Sequence, residues 1–167
     1  VDPEIREDLN IMKQNTERLL SLTNQLLDFR KTESQGFRLN FAECNVTEVL
    51  KETYNRFTSL ARQRELDFVL NVGEQDFYAH VNKEAFTKIV SNLLNNALKY
   101  ARHTITIDLF QDEADFTVRI VSDGEKIPEA SSQQIFEPFY QMEKKDTVRM
   151  GVGIGLPLAR SLATLHK

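Results

Sequence analysis

From Ile5 to Leu26 the apolar or near-apolar positions Ile5, Leu9, Met12, Thr16, Leu19, Thr23 and Leu26 recur at alternating spacings of four and three. Only a helix gathers such positions on one side, and the rhythm is that of a coiled coil or helical bundle. Pro3 suits a first turn and Gly36 an end, so the spacing predicts one long helix. Leu20, Leu22, Leu27 and Phe29 widen its stripe beyond a two-stranded seam. Such a helix needs several neighbours, as in a four-helix bundle, unless it packs on the rest of its own chain. Both readings stay open at this point.

Beyond Gly36 the pattern alternates between short strands and helices. Phe37, Leu39 and Phe41 predict a strand, and Asn45 with Glu48 a capping box for a helix to about Arg64. Leu66, Phe68, Leu70 and Val72, then residues 77–81, predict two more strands before a long helix from about Lys83 to Tyr100. Ile105, Ile107 and Leu109, followed by Phe116, Val118 and Ile120, predict an antiparallel hairpin. A short helix around Ser132 to Phe136, a polar loop from Gln141 to Met150 and a final helix from Leu156 complete a mixed α+β pattern.

Composition narrows the function classes. With 41% hydrophobic and 28% charged residues in 167, the chain can bury a core, and a net charge of −4 gives no general attraction to nucleic acid or anionic lipid. Cys44 is the single cysteine, so neither an internal disulfide nor a cysteine zinc cage can form, which suits a reducing cytoplasm. No apolar run approaches the ~20 residues that cross a bilayer, and the N-terminus is acidic rather than signal-like.

Asn92, Asn96 and Lys99 follow the i, i+4, i+7 spacing of one helical face, while Phe86, Ile89, Val90, Leu93, Leu94 and Ala97 supply a buried one. Carboxamide oxygens can hold a Mg²⁺ that keeps waters and phosphates, and an ammonium offsets phosphate charge. In an arbitrary helix the same residues would merely be a solvated face. Gly151, Gly153, Gly155 and Leu156 stand at the entrance of the last helix, where bare backbone amides approach phosphate and Pro157 pre-sets the turn. Neither a dinucleotide fingerprint nor a P-loop fits: the residues before the glycines are charged, and no Gly-Lys-[Ser/Thr] closes the motif.

Taken in order, Asn92 to Tyr100, Gly124 to Pro128, Phe136-Glu-Pro-Phe139-Tyr140 and Gly151 to Leu156 resemble the N, G1, F and G2 boxes of sensor histidine kinases, with a flavour of the hybrid type. The stretch from Asn15 to Arg30 resembles the second helix of their dimerisation and phosphotransfer bundle. The resemblance implies a Bergerat-type two-layer α/β sandwich, with a mixed sheet on helices, after a long bundle helix. It implies residues 1–36 as part of the dimerisation bundle and 37–167 as the ATP-binding domain, its closing strands absent. ATP and Mg²⁺ are the implied ligands. Asn96 with Asn92 would hold Mg²⁺, Lys99 and Tyr100 would line the pocket, and Ser122, Asp123, Gly124 and Ile127 would form the base side. Gly151, Gly153, Gly155 and Leu156 would take the phosphates, with Lys145 and Arg149 reaching the γ-phosphate from a lid over Gln141 to Met150. Phe136 and Phe139 would be its hinge. Implied partners are a second copy through the bundle helix and a receiver domain, with no nucleic acid contact by this chain. The implied parent lies in the bacterial inner membrane, with this piece on the cytoplasmic side.

Two departures qualify the resemblance. The family's adenine-reading Asp is Ser122 here and the second glycine of that box is Lys126. Along the strand Ser122 shares a face with Phe116, Val118 and Ile120, so Asp123 points the other way unless a bulge intervenes. Secondly, His80, His103 and His166 lack the surroundings of a phosphoacceptor and read as strand-edge, loop and helix-end residues. The readings are therefore a histidine kinase catalytic domain cut from a longer protein, a degenerate signalling module without nucleotide, or an ATP-hydrolysing clamp. Asn92 argues against the last, because Hsp90-like relatives carry a general-base Glu there and an amide cannot take a proton from water.

Overall fold

The computed structural model describes residues 3–34, 38–112, 115–142 and 152–166. Helix α1 runs over Pro3–Glu33. Strand β1 (Ala42–Asn45), helix α2 (Val46–Gln63), strands β2 (Asp67–Asn71) and β3 (Tyr78–Val81) and helix α3 (Lys83–Tyr100) follow. The chain continues through β4 (Thr104–Gln111) and β5 (Phe116–Ser122), two 3₁₀ turns at Glu129–Ser131 and Gln134–Phe136, and α4 (Gly155–Thr164).

The predicted strand over 37–41 is displaced. Phe37 lies outside the described residues and Leu39 and Phe41 are irregular, while pairing begins at Ala42, opposite Val81. Register with the four-residue partner β3 decides this strand, and the alternation before it serves packing: Leu39 joins the cluster around Phe29, and Phe41 sets its ring edge-on to His166. Asn45 caps α2 by accepting the Glu48 amide at 3.0 Å, as its spacing predicts. Asn82 caps α3 in the same way through the Ala85 amide at 2.8 Å.

Strands β1 and β3 form an antiparallel pair, and a separate mixed sheet has the order β2-β4-β5, with β2 parallel to β4 and β4 antiparallel to β5. The inward face of this sheet, Phe68, Leu70, Ile107, Val118 and Ile120, packs on Val49 and Leu50 of α2 and Phe86, Val90 and Leu94 of α3. Leu50, Leu94, Leu98, Ile105, Ile107 and Leu158 are almost wholly buried, each contributing roughly 1.5–3 kcal/mol of burial. Helices on one face of a mixed sheet make the two-layer sandwich that the resemblance implies.

Helix α1 divides its apolar residues between two sides. Ile5, Leu9, Ile11, Met12, Leu19, Leu20, Leu26 and Leu27 are exposed, whereas Leu22, Gln25, Asp28, Phe29 and Thr32 turn from solvent. At about 100° per residue the first set, Ile11 apart, centres on the side of the helix nearly opposite the second, and the turned-in positions begin at Leu22. The widened stripe is thus two stripes, one for the chain's own helices and one exposed.

Candidate nucleotide site

Helix α3 carries the asparagine face. Asn92 is buried at 9% exposure, and its Nδ2 donates to the Lys88 carbonyl one turn back at 2.9 Å. That bond fixes the amide so that Oδ1 faces the head of α4, where a Cβ added to Gly155 would lie 3.0 Å from it. The glycine therefore leaves room for this side chain. Asn96 is half-buried one turn on, and Lys99 sets its ammonium 4.7 Å from the centre of the Tyr100 ring.

Three backbone approaches assemble the rest. At Gly124, past the end of β5, a Cβ would overlap the Tyr100 carbonyl oxygen, so the last turn of α3 and the exit of β5 are in direct contact. Gly153 has φ +76° and would place a Cβ 2.7 Å from the Tyr140 carbonyl oxygen. Its own carbonyl accepts the Phe139 amide at 3.0 Å, and Phe139 also sits at positive φ, 66°. Residues 136–140 and the glycine turn are thus tied together. Phe136 is half-buried under the Arg160 guanidinium, 5.3 Å from its ring centre, whereas Phe139 is 59% exposed.

Ile154 caps α4 without a side-chain acceptor, and Pro157, third in the helix, has no N–H. The first amides, of Gly155 and Leu156, precede the helical hydrogen bonds with the positive end of the helix dipole behind them, an arrangement whose chemistry suits an anion. Lys145, Arg149 and Gly151, with most of the lid, lie outside the described residues. Ile127 is exposed at 46%.

The Asp123 carboxylate is taken up by a turn. One carboxylate oxygen accepts the amides of Arg102 (2.9 Å), His103 (3.0 Å) and Thr104 (3.1 Å), and the other lies 3.1 Å from His103 Nδ1. The hydrogen bonds from the His103 backbone, then Thr104 and Arg102, hold the carboxyl well below its ordinary value of 3.8. A carboxylate so depressed stabilises the fold fully above the ordinary value and loses that contribution as pH falls below it. Asp123→Asn should accordingly lower the Tm at pH 7, and the gap from the parent chain should narrow as the buffer is taken below about pH 4. A gap that stays constant down to pH 2 would contradict the turn-holding role. Ser122 is half-buried and continues the inward face of β5, as the alternation predicts.

A cleft of about 1180 Å³ separates α1 from α2 and α3, and Ser91, Asn92 and Asn95 form part of its lining. Across it Lys88 Nζ bonds Asp28 of α1 at 2.8 Å, and along α3 it bonds Glu84 one turn back at 2.7 Å. Partial burial opposes the charge on Lys88, yet the bonds to Asp28 and Glu84 outweigh it and raise its pKa above 10.5. Sequence reasoning passed over Lys88 and Asp28, since a contact between separate helices leaves no local spacing to read.

Among the described residues no group of three His, Cys, Asp or Glu could hold a metal. The Asn92 oxygen, oriented by its amide bond, nonetheless suits a cation whose other ligands are phosphates and water. The histidines have structural places. His80 is exposed on β3, His103 stands in the turn held by Asp123, and His166 accepts the Asn82 amide at 3.3 Å at the end of α4.

The model of the family described as "Histidine kinase-, DNA gyrase B-, and HSP90-like ATPase" matches residues 81–167. The sensor histidine kinase WalK of Bacillus subtilis (strain 168) is 26% identical over 163 residues, 95% of this chain and 26% of its own length. Hybrid signal transduction histidine kinase D of Dictyostelium discoideum is 28% identical over 174 residues, 99% of this chain and 11% of its own. The chain thus spans about a quarter or less of the length of these relatives. The crystal structure of full-length ShkA in complex with AMPPNP aligns with a TM-score of 0.84 over 99% of this chain and 35% of that one, at 18% identity, a likeness of fold. No described helix is long and apolar enough to cross a membrane. Since the family match takes in α3, β5 and α4, the elements that build the site, the chain belongs to the histidine kinase-, DNA gyrase B- and HSP90-like ATPase family.

Proposed function

We propose that this chain is the ATP-binding catalytic part of a sensor histidine kinase, which passes the γ-phosphoryl of ATP to a histidine for relay to a receiver Asp. The observation that carries the reading is the orientation of Asn92, whose oxygen faces the head of α4 across Gly155. Asn92 and Asn96 would hold Mg²⁺, which would neutralise phosphate charge and align the chain of phosphates. The amides of Gly155 and Leu156 would take phosphate oxygens. Lys99, Tyr100, Ser122, Gly124 and Ile127 would line the nucleoside side, and Lys145 and Arg149 would approach the γ-phosphate. An amide at position 92 cannot deprotonate water, which favours keeping ATP for transfer over hydrolysing it. Residues 1–36 would pair with a second copy, and the parent would sit in the bacterial inner membrane with this part on the cytoplasmic side.

Asp123 favours a second reading, since its carboxylate is committed to the turn and only Ser122 would be left to face the base. That arrangement would suit a signalling module without nucleotide. Calorimetric titration of AMPPNP with Mg²⁺ separates the readings. We expect binding by the parent chain and a loss of roughly 10- to 100-fold in Asn96→Ala, the scale of one ligand or hydrogen bond to a charged group. Binding by neither protein would favour the nucleotide-free module. Steady release of phosphate from ATP would favour the clamp.

A further inference from the structure

Among the described side chains of α1 only Phe29 is buried, at 7% exposure. Its ring joins Ala85 of α3, Ile154 at the head of α4 and Leu158 and Leu162 within it, with Val152 packed against the same cluster. Val152 and Ile154 alternate with Gly153 and Gly155, which have no side chains to pack. The glycine turn is therefore held from behind by two apolar side chains, and the surface they pack on is completed by a residue of the long helix. Ile154 is also the residue that caps α4. Next to Phe29, Asp28 is fixed by Lys88, whose carbonyl in turn holds the Asn92 amide.

We infer that Phe29 is a positioning residue for nucleotide binding, which holds Ile154 and so the glycine turn in the shape that presents the α4 amides. Its ligand rests on the ATP reading above, whereas its structural half rests on the packing alone. Removing the ring leaves a cavity under Ile154, and a turn with glycines on both sides of that residue is then held from the front by the Phe139 amide but no longer from behind. Nucleotide must then order the turn as it binds, which lowers its apparent affinity. Linkage makes the effect reciprocal, so bound nucleotide tightens the seating of α1.

The test uses the full chain as Phe29→Ala and Phe29→Met, read by amide hydrogen exchange and by titration of AMPPNP with Mg²⁺. Without nucleotide, Phe29→Ala should exchange faster at 154–158 with β4 and β5 unchanged, and Phe29→Met, which refills the space, should restore protection. The affinity of Phe29→Ala should fall about tenfold, within the usual range of coupling between sites, and recover in Phe29→Met. Saturating nucleotide should slow exchange at 25–33 in the parent chain but not in Phe29→Ala. Unchanged exchange at 154–158 in Phe29→Ala overturns the inference, and so does faster exchange with unchanged affinity. If Phe29→Ala unfolds throughout, with β4 and β5 exposed as well, Phe29→Val, which removes the ring but leaves part of the apolar contact, takes its place and is read by the same signs. A parent chain that binds no nucleotide overturns the ATP reading and the ligand half together, while exchange still judges the packing.

Discussion

Gly124→Ala should destabilise the chain by about 1–3 kcal/mol, the usual cost of forcing atoms into a packed place. A Cβ there would overlap the Tyr100 carbonyl oxygen and sit 3.0 Å from its carbon. Backbone cannot rotate aside as a side-chain tip can. Nor is the end of α3 free to retreat: the Ala101 amide bonds Ala97 at 2.8 Å, Arg64 donates to the Leu98 carbonyl at 2.7 Å, and Asp123 grips the next three amides. The strain must therefore bend the last turn of α3, with Lys99 and Tyr100, or lift the end of β5. Urea unfolding would measure the loss, with Gly73→Ala as the control, since there the nearest atom is 3.9 Å away. Equal midpoints for the two variants would mean that the strand end does not press on α3.

Leu94→Ala should cost about 2–5 kcal/mol, as large-to-small changes in closed cores do. Leu94 has 0% exposure and packs among Val46, Leu50, Phe86 and Ile107, on the side of α3 that faces the sheet. It lies across the helix from Asn92 and Asn96, so the cavity would open on the far side of α3 from the residues proposed for Mg²⁺. The midpoint in urea should fall with the slope unchanged, the sign of lost stability without a change in the unfolded chain. A loss below about 1 kcal/mol would show that the helix settles into the gap.

Much of this architecture was legible because it is written locally. The predicted bounds of α3 coincide with Lys83–Tyr100, the hairpin falls where its apolar alternation stands, and Asn45 caps the helix that its spacing announces. What failed to show was non-local. Phe37, Leu39 and Phe41 alternate like a strand, yet pairing with β3 selects Ala42–Asn45. Leu22 and Phe29 share a sequence pattern with Leu20 and Leu27, but only the packed helices reveal that the pairs point different ways. The parallel pairing of β2 with β4 likewise depends on a crossover that no short window contains.

For the site, spacing placed Asn92 and Asn96 on one face and turned Asp123 away from Ser122. It did not reveal what Asp123 does instead, because its partners are amides 19–21 residues earlier. The contact of Gly155 with Asn92 was equally hidden, since a glycine advertises that something comes close without naming it.

The division of α1 into a docked side and an exposed side has a mechanical consequence. A rod that carries its catalytic load on one flank can be gripped along the other without the two competing for surface, so joining a companion helix and holding the load are independent at rest. Turning the rod about its axis would disturb both at once, and sliding it lengthwise would draw Phe29 out of the cluster it shares with Ile154 and Leu158.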